Sequence, residues 1–524
     1  VNKKKSHPLI KPITETELAF IQEPDLDFGF GQKEGYTRDG LFLFGPLQDN
    51  SAPKIVRYGI IGTSPGIERF QKWSDGIRGY IRRYEPKLNP DAQHHTSFPG
   101  FEAVFKAEWP KDPAATIIVN ESSLRQALMI INRHEAVKKA VDQYVEPLIS
   151  FSNKEEALPD LWFVVIPEFV YQLGRPQSKA PKGERKVGEV VITAVKAKRI
   201  KTEPTFFQKE DEQEAQIYLY EKHFRRQLKA RLLQHKVVTQ IIRETTVAPQ
   251  DFKNEAGYPL RNVEDPATIA WKICTSAYYK AGGKPWRLSH VRPGVCYVGL
   301  VYKQTDPESD SPNACCAAQM FLNSGDGLVF RGAAGPWYTP SNKEYHLKPE
   351  AARQLMGLVV SEYQRIHGDP PSELFIHGRT KFNDEEWGGF LAAVPAATKL
   401  VGVQIKDAKA ELKLFRPGNF PIIRGTAFKI SGRAAYLWTS GYVPRLNSYL
   451  GPETPNPIFV NVQKGECPLD TVLEDVMGLT KINFNTCLFN DRLPVTIRFA
   501  NAVGEVLIAA PQTEEPKLPF KFYI

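Results

Sequence analysis

Four residues near the middle of the chain could together hold a small anion. Arg225 and Lys229 lie four apart in a stretch, 222–236, that carries six Lys/Arg and no acid, so on a helix they share a face. Gln240 follows on an expected strand, 237–242, and Lys280 ends the next expected helix. If the strand and helices pack side by side, three fixed cations and an amide donor converge. They form a cradle for a terminal phosphate, each charge-assisted hydrogen bond contributing roughly 1.5–3 kcal/mol. The alternative is a basic helix face in water, and spacing alone leaves both readings open.

Other patterns suggest chemistry but have a plainer explanation. Gly62-Thr63-Ser64-Pro65-Gly66 fits the GxSxG nucleophile elbow after a strand. Pro65, however, lacks the N–H that the residue after the nucleophile lends to an oxyanion hole, so a strand-to-helix loop is expected. His94 and His95 have only Asp91 close by and no Cys partner, which reads as an exposed loop and not a metal site. The acidic run 306–310 sits among Pro and Ser and reads as solvated. The six cysteines (274, 296, 315, 316, 467, 487) fall in no CxxC or Cys/His ladder. Reduced core thiols in a cytoplasmic protein are the expectation.

The elements that must position these groups alternate between strand-like and helix-like, which argues an α/β fold. The run LWFVVI at 161–166 has the continuous apolar character of a strand covered on both faces. The stretch 174–205 holds nine Lys/Arg against three acids and reads as a solvated loop or hairpin, with a nucleic-acid contact as the other reading. One long helix is expected over 210–235, acidic first and basic last, as suits the helix dipole. Another over 265–279 ends at Ala281-Gly282-Gly283-Lys284-Pro285. Beyond it the pattern predicts strands at 295–302, 314–323 and 328–331, the last two joined by a Ser-Gly-Asp-Gly turn. Then come a helix at 348–367, a strand at 373–377, a helix at 384–394 and a strand at 400–405. Strands at 435–442 and 458–462 and helices at 470–479 and 494–509 finish the chain. Three antiparallel strands followed by αβαβ is the order of an RNase H-like fold.

Composition narrows the class further. The chain has 524 residues, 42% hydrophobic, enough for two or three cores. Lys+Arg number 68 against Asp+Glu 59, a modest basic surplus that only weakly favours a polyanion partner. No run of eighteen apolar residues occurs, so no membrane helix is expected. The basic start VNKKKSHPLI has no apolar core after it, so it is not expected to act as a signal peptide.

Several segments resemble a known family. RRQLKARLLQHKVVTQIIRETT and IAWKICTSAYYKAGGKPW are similar to the phosphate-pocket segments of the Argonaute MID domain. CYVGLVY, FIHGRTKFNDEEWGGF and TKINFNTCLFNDRLPVTIRFANAVGEVL resemble successive PIWI segments. No PAZ-like segment is seen, so the resemblance is to short prokaryotic Argonautes. FPGFEAVF, ACCAAQMFL and FKFYI are most similar to the SPARTA type. The resemblance implies an N-terminal segment plus Rossmann-like MID domain over 1–285, the segment packing partly on PIWI, and an RNase H-like PIWI domain over 286–524. By that resemblance Lys229, Gln240 and Lys280 bind the 5′-phosphate of a guide RNA. Arg225 stands where relatives place His or Tyr. The Ile524 carboxylate and Gln240 hold a Mg2+ ion beside the phosphate, and Asn485 lies near the guide backbone.

The resemblance also implies a lost nuclease. An active PIWI site uses clustered carboxylates to bind two metals. Here the corresponding positions are Val301, Gly378 and Asn501, of which valine and glycine have no ligating side chain. The expected role is a guide-RNA-directed sensor of single-stranded target DNA in a prokaryotic defence complex. Its partner would be a TIR–APAZ protein that degrades NAD(P), joined as a heterodimer that oligomerises on target binding. The alternatives are a guide-dependent nuclease with carboxylates elsewhere, a nucleic-acid binder without a guide, or a Sir2-type or nuclease-type partner.

Overall fold

The computed structural model describes residues 17–49, 52–84, 96–202, 209–304, 314–321, 327–335, 338–339, 344–408, 412–449, 451, 454–511 and 518–524. His94, His95, Asp91, the acidic run 306–310 and the turn at 324–326 lie outside them.

Two sheets organise the chain. The first has four parallel strands, β1 (Tyr58–Gly62), β2 (Ala115–Ile118), β3 (Leu161–Ile166) and β4 (Thr239–Arg243), in the order β2-β1-β3-β4. Every residue of β3 is buried, as a strand covered on both faces requires. Parallel neighbours need crossovers, and helices α1 (Ser64–Gly76), α2 (Arg133–Lys154) and α3 (Phe224–Leu232) lie along them. The GxSxG stretch is the junction of β1 and α1. Thr63 caps the helix, its Oγ1 accepting from Gly66 N at 3.3 Å, and Ser64 is exposed.

The expected single helix over 210–235 does not form. A helix at Lys209–Ala215 and a 3-10 turn at Gln216–Leu219 precede α3. Tertiary contacts override good helix propensity here. Glu221 N donates to Ala509 O and Phe224 N to Gly174 O, both at 2.9 Å, which takes N–H groups a continuous helix would use. Tyr218 donates to Ile192 O at 2.7 Å. The basic stretch 174–205 is also more structured than a solvated loop. It contains a helix at Ala194–Thr202, and Ile192, Ala197 and Ile200 form a small core of their own. The Glu135 carboxylate accepts from the N–H groups of Glu189 and Val190 at 2.9 and 3.2 Å.

Helix α4 (Pro266–Lys280) follows. Asp265 caps it by accepting from Thr268 N at 3.1 Å, and Gly282 at φ 103° turns the chain out of it. The second sheet then begins with an antiparallel meander, β5 (Val295–Gln304), β6 (Ala314–Phe321) and β7 (Gly327–Gly335). Helix α5 (Pro349–His367) leads to β8 (Glu373–Gly378), parallel to β5. Helix α6 (Asp384–Ala393) leads to β9 (Lys399–Asp407), parallel to β8. This is the RNase H-like order read from the sequence. Strands β10 (Thr426–Ser431), β11 (Ala434–Leu437) and β12 (Ile458–Lys464) extend the sheet. The strand expected over 435–442 stops at Leu437; Tyr442 instead forms an isolated bridge with Ile423. Helices α7 (Leu469–Leu479) and α8 (Val495–Leu507) complete the described elements around this sheet, α8 packing on β5.

The N-terminal segment belongs with this second sheet. Glu17–Phe20 pairs with β10 and makes it nine-stranded, while Leu26–Asp27 pairs with Arg287–Leu288. One core then runs across both units, with Trp271, Trp286, Phe484 and Tyr523 all buried in it. Cys274, Cys296 and Cys487 are buried free thiols, and Cys467 is half-buried. Among the described residues no helix is long and apolar enough to cross a membrane.

Candidate functional site

The fold brings the four midchain residues together at the seam between the units. Lys229 sits in the last turn of α3 and Lys280 in the last turn of α4. They are only 2% and 1% exposed. Both ammonium groups reach the start of β4. Lys229 Nζ donates to Thr239 O at 3.2 Å and Lys280 Nζ to the same oxygen at 3.0 Å. Lys280 Nζ also donates to Gln240 Oε1 at 2.5 Å, and Lys229 Nζ to the main-chain oxygen of Ile524 at 2.7 Å. Arg225, one turn before Lys229, is half-buried and makes no hydrogen bond or ion pair among the described residues. Asn485 arrives from the loop between α7 and α8, joined through the Ser276 hydroxyl, which lies 2.9 Å from Gln240 Oε1 and 3.0 Å from Asn485 Oδ1.

Lysines are almost never this buried without a partner of opposite charge. Here no acidic side chain among the described residues bonds to either one. Burial pushes Lys229 well below the usual lysine pKa, and the charges of Lys280 and Arg225 push it further. Burial likewise depresses Lys280, helped by Arg225. Arg225 is lowered chiefly by burial; Glu505 opposes the shift and Arg226 adds to it. Glu505 itself is ion-paired with Arg226 at 2.8 Å.

The hydrogen-bond inventory has the same sense. Lys229 Nζ has three acceptors, Thr239 O, Thr239 Oγ1 at 3.4 Å and Ile524 O, while Lys280 Nζ has two, so the remaining donors are one Lys280 proton, the Arg225 guanidinium and the Gln240 amide nitrogen. The cationic charge and the remaining N–H donors fit an anion rich in acceptors. The oxygens expected to hold a Mg2+ ion, those of Gln240 and Ile524, each accept from a lysine ammonium.

Sequence reasoning missed Ser276 and the Thr239 carbonyl. Ser276 had a signal, since it lies one turn before Lys280 on the same helical face. The Thr239 carbonyl had none, since any residue type supplies one.

The three positions aligned with nuclease carboxylates lie on elements that touch. Gly378, at the end of β8, pairs with Leu300 of β5, and Val301 is the next residue. Asn501 is half-buried on α8, which packs on β5. His377 beside them is a core residue. Its Nδ1 lies 2.9 Å from Thr496 Oγ1, and burial pushes its pKa down to about 3, so it is neutral. Among the described residues no three His, Cys, Asp or Glu side chains group as metal ligands.

No protein-family model matches the sequence, and no curated protein matches it. Solved structures do. The chain is similar to Clostridium butyricum Argonaute bound to a guide DNA (5′ deoxycytidine) and a 19-mer target DNA. There the TM-score is 0.59 at 13% identity, covering 99% of this chain and 56% of that one. It is also similar to Aa-Ago with externally bound siRNA (TM-score 0.54, 14% identity, 97% of this chain and 56% of that one). A third match is A. aeolicus Argonaute (0.53, 14%, 96% and 54%). The chain spans just over half the length of these proteins. Its fold is therefore the mixed α/β, MID- and PIWI-like fold of Argonautes.

Proposed function

We propose that this chain is a short prokaryotic Argonaute that binds a guide RNA by its 5′-phosphate and recognises single-stranded target DNA by base pairing. The observation that carries the reading is the buried Lys229–Lys280–Gln240 pocket, which has cations and donors but no Asp or Glu side chain bonded to either lysine among the described residues. A terminal phosphate supplies the missing charge. The similarity to an Argonaute solved with guide and target strands supports the same use of this fold. Sequence discrimination would rest with base pairing, while the protein holds backbone and shape.

In this proposal the PIWI unit cuts nothing, because Val301, Gly378 and Asn501 bring no carboxylate to a two-metal site. The effector is a TIR–APAZ NAD(P)ase in a separate chain, joined as a heterodimer that oligomerises on target binding; this part rests on the resemblance of FPGFEAVF, ACCAAQMFL and FKFYI. A Mg2+ ion would enter the pocket only in company with the phosphate, whose charge offsets the two ammonium groups.

The test is guide affinity, measured with the same short RNA carrying a 5′-phosphate or a 5′-hydroxyl. The phosphate should tighten binding at least tenfold, about 1.4 kcal/mol, and Lys229→Ala should erase the gain. A wild type indifferent to the phosphate sinks the assignment.

A further inference from the structure

Between α1 and β2 the segment 77–84 reads IRGYIRRY, with three arginines, two tyrosines and no acid; Asp75 precedes it and Glu85 follows. It lies apart from the lysine pocket. Its neighbour Ser97 accepts from Trp271 Nε1 at 3.2 Å through its main-chain oxygen, and Trp271 stands about 14 Å back along α4 from Lys280 by the helical rise.

The backbone of this segment is clamped. Ile81 and Phe98 exchange both main-chain hydrogen bonds, at 2.8 and 2.9 Å, and Phe101 N donates to Ile77 O at 2.8 Å. Arg83 N donates to Ser97 Oγ at 3.1 Å. Gly100, at φ 111°, lets the two passes of chain close, since a Cβ there would lie 2.8 Å from Arg78 O. Ile77 is buried in the core and Ile81 packs against it.

With Ile81 turned inward, the period of an extended chain turns its neighbours outward. Tyr80, Arg82 and Tyr84 are all exposed, while Ile81 and Arg83 between them are half-buried. Tyr80 and Tyr84 are 67% and 66% exposed. The Tyr80 hydroxyl donates to Ser97 Oγ at 3.0 Å, so its polar end is satisfied by the protein while most of its ring faces water. Arg78 is exposed too and makes no ion pair among the described residues. Rings and guanidinium groups thus alternate on a fixed, extended segment. That pattern suits a strand whose bases stack on rings and whose phosphates meet cations. A protein interface gathers such residues around an apolar centre, and the outward positions 78, 79, 80, 82 and 84 include no aliphatic side chain.

We infer that 77–84 is a second contact for single-stranded nucleic acid, in which Tyr80 and Tyr84 stack on bases and Arg78 and Arg82 meet phosphates. Stacking needs a base with a free face, so this surface takes a single strand, RNA or DNA, over a duplex and tolerates any sequence. It uses no strand end and is independent of the 5′-phosphate reading.

The experiment measures binding of a 5′-hydroxyl RNA, the 5′-hydroxyl DNA of the same sequence, an abasic DNA of the same length and a blunt DNA duplex, with thermal midpoints as the folding control. Tyr80→Ala/Tyr84→Ala should weaken both single strands about tenfold and leave the abasic strand and the duplex within about twofold of wild type. Tyr80→Phe/Tyr84→Phe, which keeps both rings, should bind as wild type does. Arg78→Ala should weaken the abasic strand as much as the intact one and lower the salt slope of log affinity by about one. A loss confined to RNA or to DNA supports the contact and assigns it to that strand. Unchanged affinity of Tyr80→Ala/Tyr84→Ala for both single strands overturns the inference and leaves the surface to a protein partner. An equal loss on the abasic strand or the duplex overturns it as well. The pocket reading falls separately, if wild type ignores a 5′-phosphate, and 5′-hydroxyl strands do not probe it.

Discussion

Lys229 and Lys280 come from different helices and donate to the same carbonyl oxygen, that of Thr239, at 3.2 and 3.0 Å. That shared oxygen is neutral and no Asp or Glu side chain among the described residues bonds to either lysine, so repulsion and lost hydration both work against the charged pair. A dianion placed between them converts that repulsion into attraction. The relationship explains why the pocket is set deep in the seam and why its stability and its affinity should oppose each other.

Lys280→Met tests that opposition. Methionine keeps the length and apolar stem and removes the buried charge. Without ligand the variant should melt at the wild-type temperature or above it, while its preference for a 5′-phosphorylated strand falls at least tenfold, about 1.4 kcal/mol. A clear drop in melting temperature would show that the ammonium is a net structural asset and not a ligand site.

Binding should take up protons. Burial lowers the pKa of both lysines in the free protein, and a bound phosphate favours their charged forms. In the free protein these lysines hold fewer protons than in the unfolded chain. Their contribution to stability therefore rises with pH between the depressed value and the ordinary lysine value. Phosphate affinity runs the other way and falls as pH rises through the depressed values. Calorimetry in two buffers of different ionisation enthalpy should show proton uptake by wild type and less by Lys280→Met. Equal heats in both buffers count against the depressed pKa values as the source of the coupling.

A guide-loaded protein should leave a complementary labelled DNA intact with Mg2+ or Mn2+ present, because two-metal hydrolysis needs carboxylates that Val301, Gly378 and Asn501 do not supply. Metal-dependent cleavage at one position of the paired target, abolished by chelation, would establish the rival nuclease reading.

One carboxylate of the N-terminal segment meets two buried cations. Glu23 pairs with Arg424 at 2.7 Å and Lys481 at 2.5 Å, and both cations are buried. Burial lowers the Lys481 pKa to about 8, with Glu23 opposing the shift. Glu23→Ala leaves two buried cations without their partner and should cost about 3–5 kcal/mol, with earlier proteolysis within 17–45. A melting temperature unchanged from wild type would mean that water or other groups satisfy the cations.

How much was legible in the sequence depends on the range of the interaction. The RNase H-like order of β5 to β9 could be read because each strand and helix carries its own apolar period and its own stop signals, as at Pro349 and Gly368, which bound α5. Arg225, Lys229, Gln240 and Lys280 could be singled out because helical spacing and element ends are local properties, and the meaning of their grouping came from family resemblance. The break at 216–223 was not legible, since every residue there is a fair helix former; Gly174 and Ala509, far away in sequence, take its backbone bonds. Nor was the pairing of Glu17–Phe20 with β10, which joins the N-terminal segment to a strand late in the chain. Above all, the sequence determined which groups are cationic, while tertiary packing decided that Lys229 and Lys280 are buried, share one carbonyl oxygen and bond to no Asp or Glu side chain among the described residues. Desolvation and mutual repulsion depend on distance and dielectric, which only the folded chain sets.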